Sequence, residues 1–197
     1  MTSTIKRETG ETKIELSFSV RGEGRAQINT GVGFFDHMLT LFTKHGRFDL
    51  TVEAKGDLHV DAHHLVEDVG ICLGQALAQN LGTKEDIKRY GQSILPMDEC
   101  LVLSAVDLGG RSFLGYDFPS LQGVHIQMGQ GGFVPELSEE FWRSFANNAG
   151  INLHLREMAG GGVHHLLEAT FKAAARAIRM AVEQVRGEGI PSTKGVL

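Results

Sequence analysis

A chain of 197 residues, 42% of them hydrophobic, can bury a substantial core without staples and fits one large domain or two fused small ones. The formal charge of -5, with no run of Lys or Arg, excludes a nucleic-acid surface, so any phosphate must be bound by a few local cations. Residues 1–15 lack a secretory apolar segment, and no uninterrupted apolar run reaches the roughly 18 residues of a membrane span; a cytoplasmic location is expected. Cys72 and Cys100 read as small buried hydrophobes of a reducing compartment.

No element is assigned before residue 13. Alternating segments at 13–20 and 25–30 then read as strands, 34–45 as a helix and 48–54 as a strand. A helix over 62–81 follows, with Val66, Val69, Leu73 and Leu77 on one face and Asp61 at its N-cap. The second half offers strands at 90–95, 101–107 and 112–118, a helix at 136–148 and a strand at 151–156. A long closing helix carries the stripe Leu167, Phe171, Ala174, Ile178, Val182 and Val185. The glycine clusters at 129–132 and 160–162 read as loops, because neither follows a strand in a phosphate-cradling pattern. Both halves run strands, helix, strand, helix, with the junction at 81–84. The expected fold class is therefore α/β (α+β), an internal duplication of half-domains 1–82 and 83–197.

Where each half's last helix begins stands the same signature, His63-His64-Leu65-Val66-Glu67 and His164-His165-Leu166-Leu167-Glu168, at residues 63 and 164. At about 100° per residue, His63 and Glu67 share a helix face while His64 points elsewhere, and the second copy divides in the same way. One helix cannot easily give both imidazoles to one ion. If two such helices face each other, each can give a His/Glu pair to one metal and lend its other histidine to the second. Imidazole and carboxylate together suit manganese, iron or zinc. His37, at a helix start, and His154, alternating with Leu153 and Leu155, supply two further imidazoles, giving two ions three imidazoles and one carboxylate apiece.

With these residues the chain closely resembles the imidazoleglycerol-phosphate dehydratases. The resemblance is carried by Thr30-Gly31-Val32-Gly33-Phe34-Phe35-Asp36-His37-Met38, the run from Gly56 through His63-His64 to Gly70, Met97-Asp98-Glu99, the second signature with Phe171-Lys172, and Pro191-Ser192-Thr193-Lys194-Gly195. One departure is Gly160-Gly161-Gly162-Val163 before His164, where the family usually has an Asn; it bears on loop contacts rather than on the ligands. The resemblance implies a fold like the second domain of ribosomal protein S5, an octahedral 24-mer with sites between subunits, and two manganese ions. One ion would take His37, His64, His164 and Glu168, and the other His63, Glu67, His154 and His165.

The implied reaction is the dehydration of imidazole glycerol phosphate to imidazole acetol phosphate in histidine biosynthesis. The proton lost sits on a carbon with no adjacent carbonyl, so the substrate's own ring, held as a metal-stabilised imidazolate, must act as the electron sink through a diazafulvene-like intermediate. Glu11 is the acid/base candidate by family correspondence, and Glu67 or Glu168 can act as well as ligate; such a group contributes about 10²–10⁴-fold. For the phosphate the resemblance implicates Arg89, Arg111, Ser192, Thr193 and Lys194, with Lys172 nearby, since Arg forks onto phosphate oxygens and Lys supplies a point charge. His45 lies in a substrate-contact stretch, and the ligand histidines also face the substrate; His59 and His125 receive no role. A metal-dependent hydrolase or a metal-storage shell would use similar ligands, to be separated by turnover on a phosphoester or peptide and by binding of imidazole-bearing phosphates.

Overall fold

The computed structural model describes residues 2–187 and 189–195. In the first half, Ile14, Leu16 and Phe18 alternate inward along β2 (Thr12–Ser19), which pairs antiparallel with β1 (Ser3–Glu8) and with β4 (Asp49–Gly56). The short β3 (Ala26–Asn29) pairs parallel with β4, and a parallel pair needs a crossover, supplied by α1 (Gly33–Gly46). The sheet order is β1-β2-β4-β3, and α2 (His63–Leu81) closes the half.

The second half repeats this plan. Its strands β5 (Tyr90–Met97), β6 (Cys100–Asp107), β7 (Phe113–Asp117) and β8 (Asn152–Ala159) stand in the order β5-β6-β8-β7, with β7 parallel to β8. The crossover here is α3 (Glu136–Ala149), and α4 (Val163–Ala181) closes the chain's regular structure. The duplication expected from the sequence is therefore present at the level of strand order.

Three local expectations need correction. Residues 3–8 form a strand although they hold a single large apolar residue, Ile5, because β1 is an edge strand whose other face is charged and whose register is set by β2. The closing helix stops at Ala181 instead of running through Val185: the chain turns to hydrogen-bond residues 86–89, with Lys88 N–H donating to the Glu183 carbonyl at 3.0 Å and Val185 N–H to that of Asp86 at 2.9 Å. The N-cap position of α2 is Ala62, not Asp61, yet the Asp61 carboxylate does accept the His63 N–H at 2.7 Å.

The helices form a layer between the two sheets, and they pair across the halves: α2 packs on α3, and α1 on α4. Close approach of α2 to α3 depends on Gly70 and Gly74, one turn apart. A Cβ on Gly74 would lie 2.5 Å from the Phe145 carbonyl oxygen, and one on Gly70 2.8 Å from that of Phe141. We expect Gly74→Ala to destabilise the fold by about 1–3 kcal/mol, read as a lowered urea midpoint at unchanged slope; an unchanged midpoint would mean that the helix contact is slack. Around this layer one continuous core contains Trp142, Phe141, Phe171, Phe42 and Phe35, and the free Cys72 and Cys100 are buried. No helix among the described residues is long and apolar enough to cross a membrane.

The sheets differ on their outward faces. The first presents Lys6, Glu15, Glu53 and Asn29 in one register row and Glu8, Lys13 and Lys55 in another. The second presents Tyr90, Ile94, Phe113 and Met158, each more than half exposed, with Phe113 beside the His154 ring.

Candidate metal centre

Thr30 sets the start of α1: its N–H and hydroxyl both donate to Asp36, and the Val32 N–H donates to its hydroxyl oxygen at 3.2 Å. This clasp presents His37 to the first turn of α4. There, Glu168 Oε1 meets His37 Nε2 at 2.8 Å and His164 Nε2 at 3.1 Å, while Lys172 Nζ donates to Glu168 Oε2 at 2.6 Å. The Glu168 side chain is only 10% exposed. Burial opposes its charge, but the hydrogen bonds from Lys172, His37 and His164 outweigh that penalty and hold its carboxyl down at about 2. Two imidazole nitrogens and one carboxylate oxygen thus converge within 4.8 Å of one another.

The other members of the expected sets lie elsewhere on the chain. His63 and Glu67 stand on one face of α2, Nε2 to Oε2 at 3.8 Å, as the helical spacing requires. His64 points away from them, its Nδ1 2.9 Å from Asp57 Oδ2 and its Nε2 3.8 Å from Glu11 Oε1. Glu11 is held there because Arg7 and Thr12, flanking its hairpin turn, both donate to the buried Asp68 of α2. His165 in turn has Nδ1 2.9 Å from Glu99 Oε2. The hydrogen bonds to these carboxylates raise the pKa of both His64 and His165. His154 faces outward from β8 with its ring beside Phe113, in space kept open by Gly115, where a Cβ would come 2.6 Å from His154 Nδ1.

Within one chain, then, His37, His164 and Glu168 come together; His64 stands apart from them, and His63 with Glu67, His154 and His165 form separate stations. The two signature-bearing helices do not pack on each other, since α2 lies on α3 and α4 on α1.

Among the phosphate candidates, Arg89 forks onto Asp107 at 2.7 and 3.1 Å and donates through Nη1 to the Pro191 carbonyl at 2.8 Å, tying the segment with Ser192, Thr193 and Lys194 to β6. Arg111 is exposed in the β6–β7 loop, and Lys172 stands with Glu168 and Met97 rather than with the tail. His45 is half-buried; burial first, then the nearby Lys172 and Arg176, lower its pKa and favour the neutral ring. His125 pairs with Glu136 at 2.8 Å on the surface. Asp57 and Glu99 stand in segments that carry the family resemblance, but neither is among the expected ligands; each acts on a histidine from a loop.

The imidazoleglycerol-phosphate dehydratase family pattern matches residues 30–178. The chain is 55% identical to the imidazoleglycerol-phosphate dehydratase of Acetivibrio thermocellus over 98% of this chain and 97% of that protein, and 54% identical to that of Rhodopirellula baltica over 98% and 94%. The crystal structure of imidazoleglycerol-phosphate dehydratase from Staphylococcus aureus superposes with a TM-score of 0.81 at 37% identity, covering 94% of this chain and all of that one. That from Pyrococcus furiosus gives 0.81 at 34% identity, covering 98% of this chain. On sequence and fold together, the chain belongs to the imidazoleglycerol-phosphate dehydratase family of hydro-lyases.

Proposed function

We propose that this protein dehydrates imidazole glycerol phosphate to imidazole acetol phosphate in histidine biosynthesis, in the cytoplasm, using two manganese ions at sites completed between subunits of a 24-mer. The observation that carries the reading is the convergence of His37, His164 and Glu168 on one point. Their donor set fits the metal: imidazole nitrogen with a carboxylate already ionised suits manganese, and Glu168 supplies its charge without rearrangement. His64 would complete this set, and His63, Glu67, His154 and His165 would hold the second ion. Bound manganese would act as a Lewis acid toward the substrate's imidazole ring.

The chain's own residues supply the rest. Glu11, whose Oε1 lies 3.8 Å from His64 Nε2 on an exposed hairpin turn, would exchange a proton with the substrate, a role its carboxylate suits. Arg89, its position fixed by Asp107, anchors a tail whose two hydroxyls and ammonium, Ser192, Thr193 and Lys194, suit a phosphate, with Arg111 and Lys172 as further cations. Assembly is supported by the divided ligand sets and by the exposed apolar residues Tyr90, Ile94, Phe113 and Met158 of the second sheet, of which Phe113 lies beside His154. The test is direct: manganese-loaded protein is incubated with imidazole glycerol phosphate and ketone formation followed. Absence of the ketone, or equal turnover in metal-free buffer, would refute the reading.

Acidification should release the metal, and the imidazoles rather than the carboxylate should decide where. Glu168, held at about 2, stays charged far below neutrality. His64 and His165, raised above their ordinary value, favour the proton below that raised value and lose this advantage as pH rises through it, so the metal competes best on the alkaline side. Manganese retained after desalting should therefore be greatest on the alkaline side of the raised imidazole range and fall as the pH is lowered through it; full retention at pH near about 4, well below the ordinary imidazole value, would point to ligands other than histidine.

A further inference from the structure

Glu99 is exposed, lies outside both histidine signatures, and makes contacts that a surface carboxylate does not need. Its Oε1 accepts the Gly162 N–H at 2.7 Å and lies 3.2 Å from His165 Nδ1, and its Oε2 lies 2.9 Å from that same nitrogen. The glycines before α4 make the seat: a Cβ on Gly161 would come 2.1 Å from Glu99 Cγ, and one on Gly162 3.1 Å from Oε1. This gives Gly161 and Gly162 a physical reason, whereas a Cβ on Gly160 would meet Ser120 and Glu157 instead. The turn that aims Glu99 is also specialised, since Asp98 before it adopts φ 48°, a left-handed conformation that Asp tolerates better than most residues.

The duplication sharpens the point. Glu99 is the second residue of the two-residue turn between β5 and β6, where Met97 pairs with Cys100. Glu11 holds the same place between β1 and β2, where the Thr9 N–H bonds the Thr12 carbonyl. Both lean over the second histidine of their own half's signature, but in the first half Asp57 already occupies His64 Nδ1, and Glu11 lies toward Nε2 instead. In the second half Glu99 itself takes Nδ1, at 2.9 Å, with Asp98 Oδ2 farther off at 3.8 Å.

We propose that Glu99 is a positioning residue that keeps the His165 proton on Nδ1 and so presents Nε2 as a free lone pair toward a metal, the part Asp57 plays for His64. A histidine can ligate through one nitrogen only if the other carries the proton, and an outer carboxylate decides which. This rests on the reading of His165 as a manganese ligand.

The test compares Glu99→Gln with Glu99→Ala in protein stripped by chelator and titrated with manganese, free ion being followed by electron paramagnetic resonance. In Glu99→Gln the Gly162 N–H holds the amide oxygen at the Oε1 place, so the amide NH₂ takes the Oε2 place, the nearer of the two to His165 Nδ1; a donor at that shorter contact drives the proton toward Nε2. We expect manganese binding to weaken by about 10–100-fold in Glu99→Gln and by less in Glu99→Ala, whose ring is free to choose its tautomer. A residue that merely packed would give the reverse order, Gln being nearly isosteric. Binding by Glu99→Gln equal to the unaltered protein, or weaker binding by Ala than by Gln, overturns the inference while leaving the metal centre standing. Failure of the unaltered protein to bind manganese overturns both.

Discussion

Glu168→Gln is expected to lower kcat/KM by about 10³-fold, the several kcal/mol that a Lewis-acid centre contributes, and to strip manganese from the protein. The reason is that a single carboxylate has two separate duties. Its Oε1 is the point on which His37 and His164 converge, and its Oε2 is the counterion of Lys172, whose side chain is 12% exposed. An amide keeps the shape and loses the charge. It therefore disables the ligand set and also leaves the ammonium in a desolvated site without a counterion, facing a neutral amide and the Met97 sulfur 3.3 Å away. Removing one partner of such a pair costs about 3 kcal/mol or more, so the urea midpoint should drop as well. The two consequences are separable. Adding Lys172→Met removes the stranded charge, and the double variant should recover most of the stability with no recovery of metal or turnover. If Glu168→Gln keeps more than about a tenth of the activity, a loss of under 1.4 kcal/mol, Glu168 is not a ligand.

What the sequence disclosed, and what it withheld, follows from the range of each signal. Helix starts at the two signatures were legible because His63 with Glu67 and His164 with Glu168 obey the i, i+4 rule and sit at the head of apolar stripes. The duplication was legible because both halves keep that head and the same element order. Edge strand β1 was not: with Ile5 as its one large inward residue, its reason for being a strand lies in pairing with β2. Its counterpart β5 was recognised, so alignment of the halves would have found it. Amphipathic stripes say that a helix is covered but not by which partner; that α2 takes α3, and α1 takes α4, depends on small residues such as Gly74 that carry no hydrophobic signal. Glu99 and Asp57 were illegible as actors, since the first acts on a histidine 66 positions away and the second on one beyond a loop. The α4 end was overestimated because Val182 and Val185 continue the stripe, while the hydrogen bonds that divert the chain come from residues 86–89.

Co-assembly of two inactive variants should restore activity, and this is the largest effect expected of the molecule's architecture. One variant would carry His63→Ala and Glu67→Ala, disabling the α2 station; the other, Glu168→Gln, would disable the α4 station. Each alone should be inactive. Because α2 and α4 do not pack on each other in one chain, the ligand sets expected from the family can be completed only if the α2 end of one subunit meets the α4 end of another. Self-association would supply that meeting, and the exposed apolar residues Tyr90, Ile94, Phe113 and Met158 of the second sheet would suit it, Phe113 lying beside His154. With random mixing, an interfacial site draws an intact α2 from one variant and an intact α4 from the other in about a quarter of cases, so turnover should return to about a quarter of the unaltered level. The two variants must be unfolded and refolded together, or co-expressed, so that subunits exchange; mixing the finished assemblies should restore nothing. A site built within a single chain gives no recovery under either protocol, because every chain in the mixture carries one broken station. Recovery that requires co-assembly would identify the second subunit as a contributor of ligands, and its absence would return both metal sets to one chain, against the separation of α2 from α4.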